Sequence, residues 1–142
     1  MKRFIVLFMF ACFSTAAQAD HHETIAFEKR QPDSPMTVTS VTLGRDATTI
    51  NAEGEMGAYG RVYVTFTLTY DADRTSGEVS GEGRGVSPDG YVTGLFAGRW
   101  AIEDGIVVMR HVVEISDGTM NFDVVTFDPA SKDMTIEVHV IK

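Results

Sequence analysis

The chain has 142 residues, 44% hydrophobic and 23% charged, with a formal net charge of −8 and one cysteine. An acidic balance of this kind excludes nucleic acid and anionic lipid as partners, because both are held by clustered Lys and Arg. A lone cysteine excludes internal disulfides and cysteine-bound metal clusters.

The first segment reads as an export signal. Lys2 and Arg3 form a charged head, and Ile5 to Phe13 an apolar run too short to span a bilayer. Ala17 and Ala19 supply the small side chains that a signal peptidase accepts. Cleavage after Ala19 is expected to leave 123 residues, enough for one domain with its own core, in the periplasm or outside the cell. Lys2 and Arg3 depart with the leader while all twenty acidic residues stay, which takes the formal charge from −8 to −10. Cys12 departs as well. Lipoprotein processing before Cys12 is the alternative, with Phe10 standing where a small residue is expected. No later segment is apolar enough to cross a membrane.

Cleavage after Ala19 would expose Asp20-His21-His22. The free amine, two backbone amides and the His22 imidazole can enclose a cation in a square plane, with His21 as an accessory. That geometry suits Cu(II) or Ni(II). The arrangement resembles the amino-terminal copper and nickel motif of albumin-type proteins. A solvated, frayed terminus is the plainer reading.

Nearly everything beyond Glu23 alternates with period two between turn residues, which predicts an all-β chain. Strands are expected at 24–30, 36–43 and 47–53, then at 61–70, 77–86, 91–101, 106–115, 119–127 and 133–141. The clearest is 61–70, where Val62, Val64, Phe66, Leu68 and Tyr70 share one face and Tyr63, Thr65, Thr67 and Thr69 the other. Ser87-Pro88-Asp89-Gly90, Glu103-Asp104-Gly105 and Ser116-Asp117-Gly118 have hairpin-turn chemistry. Asp71, Asp73 and Thr75 resemble the opening of a calcium loop, but lack its closing Glu and read as another hairpin. Connections this short make neighbours antiparallel, and about eight strands must bury one face. The expected fold is a single small antiparallel β-barrel built as a meander, with a β-sandwich as second choice.

Ten of the thirteen glycines lie between Gly54 and Gly98. In Gly81-Glu82-Gly83-Arg84-Gly85 they alternate, so one face of that strand is bare backbone. Either a large side chain such as Phe96 or Trp100 lies flat on it, or a ligand approaches it.

Several ionisable residues sit inside strands. Alternation puts Arg110 and Glu114 on one face of 106–115 and His111 on the other, with Val107, Met109 and Val113. A mixed interior could gather His111, Asn121, Asp123 and His139 to bind a polar group or to exchange protons with it. Solvated outward positions, or a core histidine, are the alternatives. If there is catalysis, His111 is the first candidate, and Arg110 or Glu114 the next.

Gly98-Arg99-Trp100 resembles the G-x-W of lipocalins, displaced from the first strand to some forty residues before the C-terminus. Residues 54–142 are similar in style to small barrels of the allene-oxide-cyclase type, which are meanders with acidic turns and glycine-rich strands. That resemblance implies an interior cavity, and in some members the cyclisation of a confined apolar substrate; it carries over no catalytic residue.

Three functions are therefore expected to compete. The first is binding of a small, mainly apolar molecule within the barrel, lined by Tyr63, Phe66, Phe96, Trp100, Met109 and Phe122. The second is a filled barrel acting as a protein-interaction module. The third is a cofactor-free isomerase or cyclase of the same shape.

Overall fold

The structure, a computed structural model, describes residues 25–142. The expected leader, Cys12 and the Asp20-His21-His22 terminus lie outside these residues. Nine strands follow in order: β1 (Phe27–Lys29), β2 (Ser34–Leu43), β3 (Ala47–Glu55), β4 (Arg61–Thr69), β5 (Ser76–Ser87), β6 (Gly90–Glu103), β7 (Ile106–Ile115), β8 (Met120–Phe127) and β9 (Asp133–Ile141). A single 3-10 turn, Gly57–Tyr59, interrupts the connection from β3 to β4.

Each strand from β2 to β9 pairs antiparallel with the next, and β9 returns to pair with β2. The sheet thereby closes on itself as an eight-stranded up-and-down barrel. Closure, rather than the packing of two open sheets into a sandwich, is how this chain disposes of most of its edges.

The remaining strand, β1, is a continuation of β2. Phe27–Lys29 pair with Ile141–His139, and Ser34–Thr37 pair with Ile136–Asp133, on the same side of β9. Four residues, Arg30 to Asp33, therefore stand opposite only Val138 and Glu137. The result is one long strand broken by a wide bulge. Pro32 accounts for the break, since it has no N–H to give to the ladder.

Alternation decides the core. The inward rows Val62, Val64, Phe66, Leu68 on β4 and Met109, His111, Val113 on β7 are buried, while their neighbours, Val108 excepted, are half-buried or exposed. At one end of the barrel Trp100, Met109, Leu68, Val125 and Phe127 pack into a continuous plug. Trp100 donates its indole N–H to the carbonyl of Thr69 at 2.7 Å, which fixes the ring in place.

Within the glycine alternation, Gly81 has the packing role expected, and Gly77 on the same strand shares it. A Cβ on Gly77 would lie 2.8 Å from the Trp100 indole nitrogen, and one on Gly81 would lie 2.6 Å from the Phe96 ring. Both aromatic rings occupy space that any side chain at these positions would take. Gly83 is different, since its nearest neighbour would be an ordinary 3.7 Å away.

Candidate functional site

The end of the barrel opposite Trp100 is not filled. A cavity of about 60 Å³ remains there, lined by Phe66, Phe96, Val113 and Ile136 together with Tyr59, His111, Asn121 and Asp123. Volume of this order holds roughly four water-sized groups. Val92 and Ile115, both half-buried, stand at its outer side.

Its polar residues reach the interior by strand parity. On β7, Val107, Met109 and Val113 commit the odd positions to the core, and His111 goes with them at 3% exposure. On β8, Val125 and Phe127 commit the same parity, which carries in Asn121 and Asp123. His111 and Asp123 are direct cross-strand partners, as are Val113 and Asn121.

The His111 ring is held by stacking. Its centroid lies 4.4 Å from that of Phe96, with 25° between the planes, and 6.0 Å from that of Phe66. Phe96 can occupy that position because Gly81 beneath it has no side chain. The bare glycine face thus sets the histidine through one intervening ring.

Two residues outside the alternation complete the cluster. Tyr59 sits on the 3-10 turn, and its hydroxyl accepts a hydrogen bond from Asn121 Nδ2 at 2.7 Å. Arg30, on the bulge between β1 and β2, donates from Nε to Asn121 Oδ1 at 3.1 Å, and its guanidinium lies 5.8 Å from the Tyr59 ring centre. Asn121 is thereby locked from both ends.

His111 and Asp123 are not. His111 Nδ1 and Asp123 Oδ1 are buried and have no hydrogen-bond partner in the protein. Burial, partly opposed by the positive charge of Arg30, raises the Asp123 carboxyl to about 7. Burial also lowers the His111 imidazole to about 4. At neutral pH the imidazole is uncharged, and the carboxyl is divided between its acid and its anion.

The other residues singled out in the sequence are placed as follows. Phe66 and Phe96 line the cavity, whereas Trp100 and Met109 belong to the packed end. Tyr63 and Phe122 are corrections to the expected lining: parity turns both outward. Tyr63 is 53% exposed, and Phe122 packs on the outer face against Phe27 at 5.2 Å. Arg110 and Glu114 also face outward, and Arg110 is bound to the Glu103 carboxylate at 2.6 Å, so neither can act in the interior. His139 lies on the outer side of β9, opposite Phe122, and does not join the interior cluster. Asp71 and Asp73 hold a hairpin, bonding Ser76 Oγ and the Thr75 N–H respectively.

Among the described residues no three His, Cys, Asp or Glu side chains are grouped to hold a metal, and no helix is long and apolar enough to cross a membrane. A second concavity, about 290 Å³, lies on the outer face of β2 to β5, among Asn51, Glu53, Tyr63, Thr65, Glu82 and Arg84. It is open to solvent and mixed in its lining.

Arg30 and Tyr59 were not legible as site residues. Both come from irregular backbone, a bulge and a 3-10 turn, where no periodicity indicates which way a side chain points. Compared with protein-family models, curated proteins and solved structures, the chain finds no match.

Proposed function

We propose that this barrel is a binding protein for a small molecule that inserts a polar, hydrogen-bonding tip into the end cavity. The observation that carries the reading is the pair of buried atoms, His111 Nδ1 and Asp123 Oδ1, both lacking a protein partner and both on residues that line one cavity. A buried polar group without a partner costs about 1–3 kcal/mol, and folded proteins leave few of them. A ligand group that both donates and accepts, such as a hydroxyl, satisfies the two at once. The apolar walls, Phe66, Phe96, Val113 and Ile136, favour a carbon skeleton around that group. With only about 60 Å³ available, the part that enters is on the order of four heavy atoms.

Isotope-edited NMR tests this directly. Titration with propan-2-ol or acetone is expected to shift the side-chain signals of His111 and Asp123 saturably, and to leave those of the outward Glu114 and Glu137 unmoved. Shifts spread evenly over the surface, or none at His111 and Asp123, would contradict the reading.

A further inference from the structure

We propose that the end cavity is also a site of enolisation, in which Asp123 takes a proton from the carbon beside a substrate carbonyl while His111 holds the carbonyl oxygen. This rests on the binding reading above and assigns to the same pocket a substrate class, small aldehydes and ketones bearing an α C–H.

The geometry carries the argument. Directly opposed residues of antiparallel strands have Cβ atoms roughly 5 Å apart, and here both side chains project into the same space. One is a carboxyl and the other an imidazole, and each has one buried atom with no protein partner. A carbonyl carbon with its oxygen on one side and an acidic C–H on the other fits between such a pair. The stacked Phe96 ring restricts the imidazole, so that His111 is positioned before a substrate arrives.

The step balances within the pocket. The Asp123 carboxylate takes the α proton, the C–H pair becomes the new C=C bond, and the carbonyl π pair moves onto oxygen. That oxygen accepts a hydrogen bond from His111 in the tautomer with its proton on Nδ1. Return of a proton from Asp123 to the same carbon regenerates the ketone, and in D₂O it leaves deuterium behind. No oxidant, reductant or metal enters the account.

The protonation states agree with these roles. Asp123, near 7, is a stronger base than an ordinary carboxylate and is substantially ionised at pH 7.5. His111, lowered to about 4, stays a neutral donor and does not become a competing acid. Tyr59, Asn121 and Arg30 keep to one another and leave the pair free to meet the substrate.

The test is deuterium uptake by acetone in D₂O at pH 7.5, followed by proton NMR with the full chain present. The wild-type protein is expected to accelerate uptake, Asp123→Asn to lose about 100-fold of that acceleration, and His111→Phe, which retains a ring against Phe96, to lose about 10-fold. Arg110→Ala is expected to match wild type. Amide spectra of each variant establish that it is folded, and Asn is close to isosteric with Asp. Acetone that shifts His111 and Asp123 without any exchange beyond the Asp123→Asn level would overturn enolisation and leave the binding reading standing. Absence of both shifts and exchange would overturn the two together.

Discussion

His111 and Asp123 face each other across β7 and β8, and burial displaces them in opposite directions, the imidazole to about 4 and the carboxyl to about 7. Both are thereby kept uncharged through the mildly acidic range. Neither is neutralised by a partner; each is neutral because charge is costly at that depth.

The opposed shifts cancel in the pH dependence of stability. Asp123 has a raised folded pKa, so its contribution is complete below 3.8 and is lost as pH rises towards 7. His111 has a lowered folded pKa, so its penalty appears as pH falls from 6.5 towards 4. Between pH 4.5 and 6.5 the folded protein therefore binds one proton more at Asp123 and one fewer at His111 than the unfolded chain does. Wild-type unfolding free energy from these two groups is expected to be flat across that interval. Asp123→Asn should tilt it upward with pH, and His111→Phe downward, each by about 1 kcal/mol per pH unit. Urea unfolding at pH 4.5, 5.5 and 6.5 measures the slopes, and parallel slopes in the two variants would refute the assignment.

Glycine substitutions on β5 are expected to separate sharply by position. Gly81→Ala places a methyl 1.9 Å from the Thr65 carbonyl and 2.6 Å from the Phe96 ring, so it should cost about 3 kcal/mol and disturb the His111 ring signals. Gly83→Ala meets nothing closer than 3.7 Å and should leave stability within about 1 kcal/mol of wild type. Denaturant midpoints distinguish the two.

Removing the Tyr59 hydroxyl should be felt inside the barrel. Tyr59→Phe leaves Asn121 Nδ2 without its acceptor at a position only 1% exposed, an expected loss of about 1–3 kcal/mol. Arg110→Ala breaks a solvent-exposed pair with Glu103 and should leave the unfolding midpoint unchanged. Equal effects from the two would mean that Asn121 is hydrated and that the cluster is not closed.

Much of this fold can be read from the residues because parity is strict. The run from Val62 to Leu68 and the row Val107, Met109, His111, Val113 each admit one orientation, and the Pro-, Asp- and Gly-containing turns set the register between them. The same parity puts His111, Asn121 and Asp123 together. Parity also turns Tyr63 and Phe122 outward; the expectation that they line the interior rests on their aromatic character alone, and an aromatic ring is equally at home on the outside of a barrel, where Phe122 packs against Phe27. It is silent about Arg30 and Tyr59, whose directions come from a bulge around Pro32 and a single 3-10 turn. Nor does it give the cavity, which is the difference between the volume of a closed barrel and the side chains that fill it. Ending the packed plug one layer short of Asp123 is a property of summed volumes, and no pattern of single residues records it.

The most direct test of the account is the carboxyl ¹³C titration of Asp123 in the folded protein. Burial without a partner predicts an inflection near 7, well above the ordinary 3.8, and a further rise in Arg30→Gln, which removes the positive charge that opposes it. An inflection near 4 would mean a solvated or fully paired carboxylate, and would contradict the buried, unpartnered carboxyl on which the binding and enolisation readings both depend.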